Sequence, residues 1–341
     1  MSAEPLLSVR GLHADLMSPY GAVRAVRGVD LELFPGEIVG LVGESGCGKT
    51  ITAKSIIRLN NEETTFYRGE ILLGGTDLLT LPEKEMTRVR GGRVAMIFQD
   101  PMTALDPLKR VGRQIEETFM LHGAAEAEAR AGTLALLAEV GIHPAEERAR
   151  SYPFEMSGGQ LQRALIACAL AGSPQLLIAD EPTTALDVTV QAQILRLLRD
   201  LQRRTAMTVL LITHDFGIVA ETCERVAVMY AGRIAEIGPV RSVFHNARHP
   251  YTRDLIRSIP TPDGRPEAIP GAPPDLRASL TGCAYAPRCR HAEGRCRTEQ
   301  PPMREAGGGH RFACFFELAA SAAPAAFTAS GMPEKGKEAQ R

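Results

Sequence analysis

Eight residues limit what this chain can fold into more than any others: Gly43-Glu44-Ser45-Gly46-Cys47-Gly48-Lys49-Thr50, a G-x-x-x-x-G-K-T pattern. The apolar run Ile38-Val39-Gly40-Leu41-Val42 before it reads as a buried strand, and Ile51 to Leu59 after it reads as a helix. Strand, glycine-rich loop and helix in that order are what the pattern needs to cradle phosphate. The glycines let successive backbone N–H groups converge on phosphate oxygens, and the helix N-terminus adds partial positive charge. Lys49 is then placed to reach the β- and γ-phosphates, and Thr50 to ligate Mg²⁺. A chance glycine-rich turn with a lysine would not bring these flanks with it. Nucleotide binding is therefore the premise for the rest of the chain.

Around the cradle the chain alternates strand-like and helix-like stretches. Leu6 to Leu33 alternates apolar and polar positions, which predicts antiparallel strands with one wet face. Gly69-Glu70-Ile71-Leu72-Leu73, followed by Gly74-Gly75, predicts another strand pair, and Val94 to Phe98 a strand buried on both faces that ends at Gln99. From Val111 to about Arg150 the pattern is helical, and it leads to Ser157-Gly158-Gly159-Gln160 and the apolar helix Leu161 to Ala171. Ser157 and Gln160 have capping-box spacing, so a purely structural helix start is one reading of that motif. Leu176 to Ala179 is a buried strand ending in Asp180-Glu181; a second helix follows Asp187, and Val209 to Thr213 forms a strand ending at His214. A hairpin follows over Val226 to Ile237. The alternation argues for a mixed α/β sheet with ligands at the strand C-termini.

Composition bounds the partners. A formal charge of −1 gives no general electrostatic reason to expect nucleic acid. No apolar run approaches the ~20 residues that span a bilayer, and no basic segment followed by an apolar stretch opens the chain. The expectation is a cytoplasmic protein whose membrane role, if any, runs through a partner. Of seven cysteines, Cys47, Cys168 and Cys223 are scattered, whereas Cys283, Cys289, Cys296 and Cys314 crowd towards the end. In a reducing compartment such a cluster points to metal more than to disulfides. Ser258 to Ser279 is proline-rich and reads as a linker or extended arm; the final stretch, about 321–341, has little to bury and reads as disordered.

Taken in order, the cradle, Gln99, Ser157-Gly158-Gly159-Gln160, Asp180-Glu181, Ala185-Leu186-Asp187 and His214 resemble the nucleotide-binding subunit of ABC transporters. The resemblance covers roughly residues 6 to 260. It implies an ABC-type P-loop NTPase core, a mixed sheet with a RecA-like core and an antiparallel β subdomain, carrying an inserted helical subdomain at about 108–172. It also implies roles. Asp180 and Gln99 join Thr50 at Mg²⁺, Glu181 activates the attacking water, and His214 contacts the γ-phosphate. A helix cap or a solvated loop is the bland alternative for the paired carboxylates. Two subunits pair head to tail, so that the cradle of one and the Ser157–Gln160 motif of the other sandwich each ATP, with Asp187 at the seam. The family stacks adenine on an aromatic ring. Alignment on the cradle puts Leu16 near that position, and Tyr20, a few residues later, is the aromatic candidate.

Gln99-Asp100-Pro101-Met102-Thr103-Ala104-Leu105-Asp106-Pro107 and His249-Pro250-Tyr251-Thr252 are similar to the oligopeptide and dipeptide importer branch. In that branch the first segment meets the coupling helices of the membrane subunits, a plausible two-state lever. The cysteine-rich stretch, about 261–320, looks like the C-terminal extension of the same branch. Four thiolates suffice for a 4Fe–4S cluster, known for members of the branch; a zinc site and unmetallated thiols are the alternatives, with His291 and His310 as substitute ligands. The resemblance implies an ATPase that powers import of peptides or related small solutes. Its partners are a second ATPase subunit, two membrane permease subunits and an external solute-binding protein, which leaves this chain peripheral at the cytoplasmic membrane face. A soluble ABC protein of translation or DNA repair is the alternative. Translation factors of that kind carry two cradles and repair proteins a long coiled coil between the motifs, and this chain has neither feature. An inactive regulatory subunit would not need Lys49, Asp180, Glu181 and His214 together.

Overall fold

The computed structural model describes residues 4–184, 186–259 and 267–318. Two sheets organise it. The first is antiparallel, order β2-β1-β4-β5, built from β1 (Leu7–Ser18), β2 (Gly21–Leu33), β4 (Thr65–Leu73) and β5 (Thr76–Asp77). The second has β3 (Ile38–Val42), β6 (Val94–Ile97), β7 (Leu176–Asp180), β8 (Thr208–Thr213), β9 (Arg225–Tyr230), β10 (Arg233–Pro239), β11 (Arg304–Gly307) and β12 (His310–Phe312). Its order is β11-β12-β10-β9-β3-β8-β7-β6. The stretch from β9 to β6 is parallel, and β10, β12 and β11 continue it antiparallel.

The parallel strands are apolar throughout because both faces are covered. In β7, Leu176 and Ile178 pack towards the antiparallel sheet while Leu177 and Ala179 pack towards the helical side; in β8, Leu210 and Ile212 go one way and Val209 and Leu211 the other. That is the two-residue period of a strand read on both faces of one sheet. Helices Val111–Leu121, Glu126–Glu139 and Gly158–Leu170 form the helical subdomain on the second side, closed by Val111, Ile115, Leu137 and Leu161. Helix Val188–Thr205 buries Ile194, Leu198 and Leu201 against the same core and ends at Ala206 in the left-handed region, φ 54°. Among the described residues no helix is long and apolar enough to cross a membrane.

The alternating Leu6–Leu33 stretch, the pair turned at Gly74-Gly75 and the hairpin after Arg225 all form as their patterning predicts. The cysteine-rich extension adds something that patterning did not disclose. Its strands β11 and β12 join the main sheet, with Glu236 and Ile237 of β10 opposite Phe312 and Arg311. Beneath that joint lies Glu236, with no exposed surface, accepting the N–H groups of Arg248 (2.6 Å) and His249 (3.0 Å) and facing His310 Nε2 at 2.7 Å. Burial pushes His249 down to about 4, so its neutral Nδ1 accepts the Tyr251 N–H (3.1 Å) and caps helix Pro250–Arg257. Glu236→Ala strands the buried partners of that carboxylate and is expected to cost about 3–5 kcal/mol in urea denaturation. An unchanged midpoint would remove this role from Glu236.

Candidate functional site: an incomplete nucleotide cleft

The cradle sits where β3 hands over to helix Lys49–Ile56. Gly48 adopts φ +106°, and a Cβ there would lie 2.3 Å from the Ala25 carbonyl oxygen; only glycine permits the loop to pass so close to β2. Lys49 is buried, and its Nζ donates to the carbonyls of Gly43 (2.8 Å) and Glu44 (3.1 Å). Cys47 is buried too, and its carbonyl accepts the Gly232 N–H (2.8 Å), tying the loop to the β9–β10 turn. The backbone N–H of Glu44 donates to the Tyr251 hydroxyl (2.9 Å), and its carboxylate meets Arg288.

The parallel order β3-β8-β7-β6 brings the remaining groups to the same edge. Thr50 Oγ1 donates to Asp180 Oδ1 at 3.2 Å, the adjacency that a shared Mg²⁺ would need. Burial pushes the Asp180 carboxyl above the usual carboxylate range, against the Thr50 hydrogen bond, and the neighbouring Glu181 charge adds to the rise. A divalent cation would reverse that balance. Glu181 follows with φ 48°, a left-handed conformation uncommon for a residue with a Cβ. Its carboxylate gathers three neighbours: Gln99 Nε2 (3.1 Å), Thr184 Oγ1 (2.9 Å) and His214 Nδ1 (3.3 Å). Gln99 lies two residues beyond β6 and His214 directly follows β8, so the order of adjacent parallel strands brings together residues far apart in sequence. Thr184 is the member that sequence reasoning missed, although it directly precedes the Ala185-Leu186-Asp187 motif.

Gln99, Glu181, Thr184 and His214 line an open cleft of about 850 Å³, with Ser45, Gly46, Gly48, Lys49 and Thr50 along its phosphate end. Its apolar end is formed by Leu16 and Val23 from the antiparallel sheet and by Leu276 from the extension, whose carbonyl accepts the Arg24 N–H (3.0 Å). Tyr20, the aromatic candidate, stands apart from that end. It sits in the β1–β2 turn, 85% exposed, and does not line the cleft. The side chains at this end are aliphatic, and one of them arrives some 250 residues later, where no local signal marked it.

Ser157 to Gln160 do not line the cleft of their own chain. Ser157 caps helix Gly158–Leu170: its Oγ accepts the Gln160 N–H (3.4 Å) while Gln160 Oε1 accepts the Ser157 N–H (3.1 Å). The capping-box reading thus holds within the chain, yet Ser157 and Gly158 remain exposed. Asp187 caps the neighbouring helix by accepting the Val190 N–H (3.0 Å), with Leu186 and Val190 beside Gly158 and Gly159. Ala185 lies outside the described residues, as does the tail from 319 onwards.

Cys283, Cys289, Cys296 and Cys314 line one small cavity with His249 and Tyr285. Among the described residues, however, no group of three or more His, Cys, Asp or Glu side chains is placed to hold a metal ion, so the expectation of zinc or a cluster gains no support from that count. His310 is engaged by Glu236 and is not a substitute ligand. Burial raises the thiols of Cys283 and Cys314 and pushes Cys289 up to about 11. Cys168, pushed by burial up to about 12, and Cys223, also raised, are inert small hydrophobes.

Comparison with known proteins agrees with this geometry. The profile of the ABC transporter family matches residues 26–184, and that of the oligopeptide/dipeptide transporter C-terminal region matches residues 235–296. A probable peptide ABC transporter ATP-binding protein of Sinorhizobium fredii is 51% identical over 92% of this chain and 95% of its own length. The dipeptide transport ATP-binding protein DppD of Lactococcus lactis is 45% identical over 91% and 90% respectively. A dimeric post-hydrolysis state of the ATP-binding cassette MJ0796, bound to ADP and Pi, superposes with a TM-score of 0.62 at 28% identity, covering 69% of this chain and 99% of that one. With a cradle, a strand-end carboxylate pair and a cysteine-rich extension matched along nine-tenths of its length, this chain belongs to the ATP-binding proteins of peptide-type ABC transporters.

Proposed function

We propose that the chain is the ATP-hydrolysing, energy-coupling subunit of an importer for peptides or related small solutes. The observation that carries this is the convergence on Glu181 of Gln99, Thr184 and His214, directly beside the Thr50–Asp180 contact. Lys49 and the cradle N–H groups bind the phosphates, and Thr50, Asp180 and Gln99 would hold Mg²⁺, which supplies charge neutralisation at the β- and γ-phosphates. Glu181 takes the proton of the attacking water at its carboxylate, and His214 and Gln99 fix that carboxylate's direction. Exposed Ser157 and Gly158 fit a role across a dimer seam, completing the cleft of a second subunit, with Asp187 close by. The segment from Asp100 to Asp106 leaves Gln99 on an exposed surface suited to two membrane permease subunits, with a solute-binding protein on the far side and this chain peripheral at the cytoplasmic face.

Co-purification with the permease subunits, followed by ATP turnover measured with candidate peptides and binding protein, tests the proposal. Stimulation by a peptide is expected. Absence of stimulation together with stable ribosome or DNA association would favour the soluble ABC alternative.

The four cysteines lining one cavity match a 4Fe–4S cluster in number and kind, with zinc the rival that lacks the usual close C-x₂₋₄-C pairs, although among the described residues no three such side chains are placed to hold a metal ion. Cys283, Cys289, Cys296 and Cys314 would hold the cluster, which brings one-electron chemistry and cross-links the extension. Iron and acid-labile sulfide in anaerobically purified protein, with a visible absorption band, are the expected result; colourless, iron-free protein removes the cluster.

A further inference from the structure

The extension reaches the cradle itself. Arg288, whose side chain is 4% exposed, forms a two-pronged pair with the Glu44 carboxylate: Nη1 to Oε2 at 2.6 Å and Nη2 to Oε1 at 2.9 Å. Its other donors are also used, Nε on the Pro270 carbonyl (2.8 Å) and Nη1 on the Tyr230 hydroxyl (3.2 Å). The guanidinium lies against the rings of Tyr230 and Tyr285, which fixes its plane. Glu44 is thereby held at all three of its polar groups. Tyr251 takes its N–H, Lys49 its carbonyl and Arg288 its carboxylate.

We infer that Arg288 is a positioning residue for ATP binding: it holds the Glu44 carboxylate back and so presets the mouth of the phosphate cradle. This rests on reading Gly43–Thr50 as the ATP cradle. Glu44 directly precedes Ser45, which lines the phosphate end of the cleft while Glu44 itself does not, so a carboxylate released from Arg288 would add mobile negative charge beside incoming phosphates of its own sign. Two charge-assisted hydrogen bonds in a fixed fork both neutralise that charge and immobilise it, which a lysine reproduces only in part. The nucleotide site therefore includes a residue from outside the ATP-binding cassette.

The test is titration of the full chain with Mg-ATP and with a fluorescent ATP analogue. Arg288→Gln, which keeps a polar side chain in the pocket, is expected to raise the Kd roughly tenfold, the equivalent of one lost charge-assisted bond. Arg288→Lys is expected to fall between Gln and the native residue. Adding Glu44→Gln to Arg288→Gln removes the repelling charge and is expected to bring the Kd back to within about threefold of native by the same arithmetic, while kcat at saturating ATP changes less than KM in every variant. An unchanged Kd in Arg288→Gln overturns the inference, and so does a double variant no better than the single, which would mark Arg288 as a mere prop of the extension. Failure of the native chain itself to bind Mg-ATP would instead strike the underlying reading of the cradle.

Discussion

Glu181→Gln should leave Mg-ATP affinity near native while turnover falls roughly 10²–10⁴-fold, the range that a positioned general base contributes. The substitution is close to isosteric, and the amide oxygen can still accept from Thr184 Oγ1, now 2.9 Å from the carboxylate. What it removes is the ability to take a proton from water. The backbone of Glu181 is held at φ 48°, and maintaining a side-chain-bearing residue there costs on the order of 1–3 kcal/mol. Steady-state phosphate release and equilibrium nucleotide binding, measured on the same preparation, separate the two effects. Hydrolysis near the native rate would remove Glu181 as the base and leave His214 to be tested in its place.

Gly158→Asp should be nearly silent within one chain and severe between two. A Cβ at Gly158 meets nothing closer than Leu186 Cδ2 at 3.5 Å, and an acidic residue in the first turn of a helix is favourable to the fold. Melting temperature and binding of ATP to the chain's own cradle are therefore expected to hold. A carboxylate at that exposed helix start would repel the phosphates of a neighbour's nucleotide. ATP-driven dimerisation is then expected to disappear from sedimentation profiles, and turnover to drop on the order of 10²–10³-fold, as when preorganised oxyanion donors are withdrawn. A variant that dimerises and hydrolyses normally would mean that Ser157–Gln160 is only the helix cap seen within the chain.

How much of this was readable beforehand depends on how local the determining physics is. The cradle was legible because its glycines answer to contacts inside one short loop and its close neighbours, and the parallel strands because burial on both faces leaves unbroken apolar runs. That Gln99, Glu181 and His214 meet follows from adjacent parallel strands ending at one edge, so strand order carries it. The apolar end of the cleft was not legible: Leu276 joins Leu16 and Val23 there only after the extension folds back, and Tyr20 drew notice merely as the nearest ring. Strands β11 and β12 also escaped notice. Arg304–Gly307 and His310–Phe312 are short and polar, and their strand character comes from β12 pairing with β10 and β11 with β12 rather than from any period of their own.

That late pairing has a consequence for how the molecule is made. During synthesis β10 emerges some seventy residues before its partner β12, so the rim of the main sheet stays open until those residues are made. An open rim of paired-strand geometry invites association with other chains. The finished molecule closes it with a four-residue strand bearing Arg304 and Glu305, both charged and short enough to discourage further growth. A message truncated before residue 304 would therefore yield a chain that keeps Lys49, Asp180, Glu181 and His214 but leaves the β10 edge of its sheet unpaired and open to association.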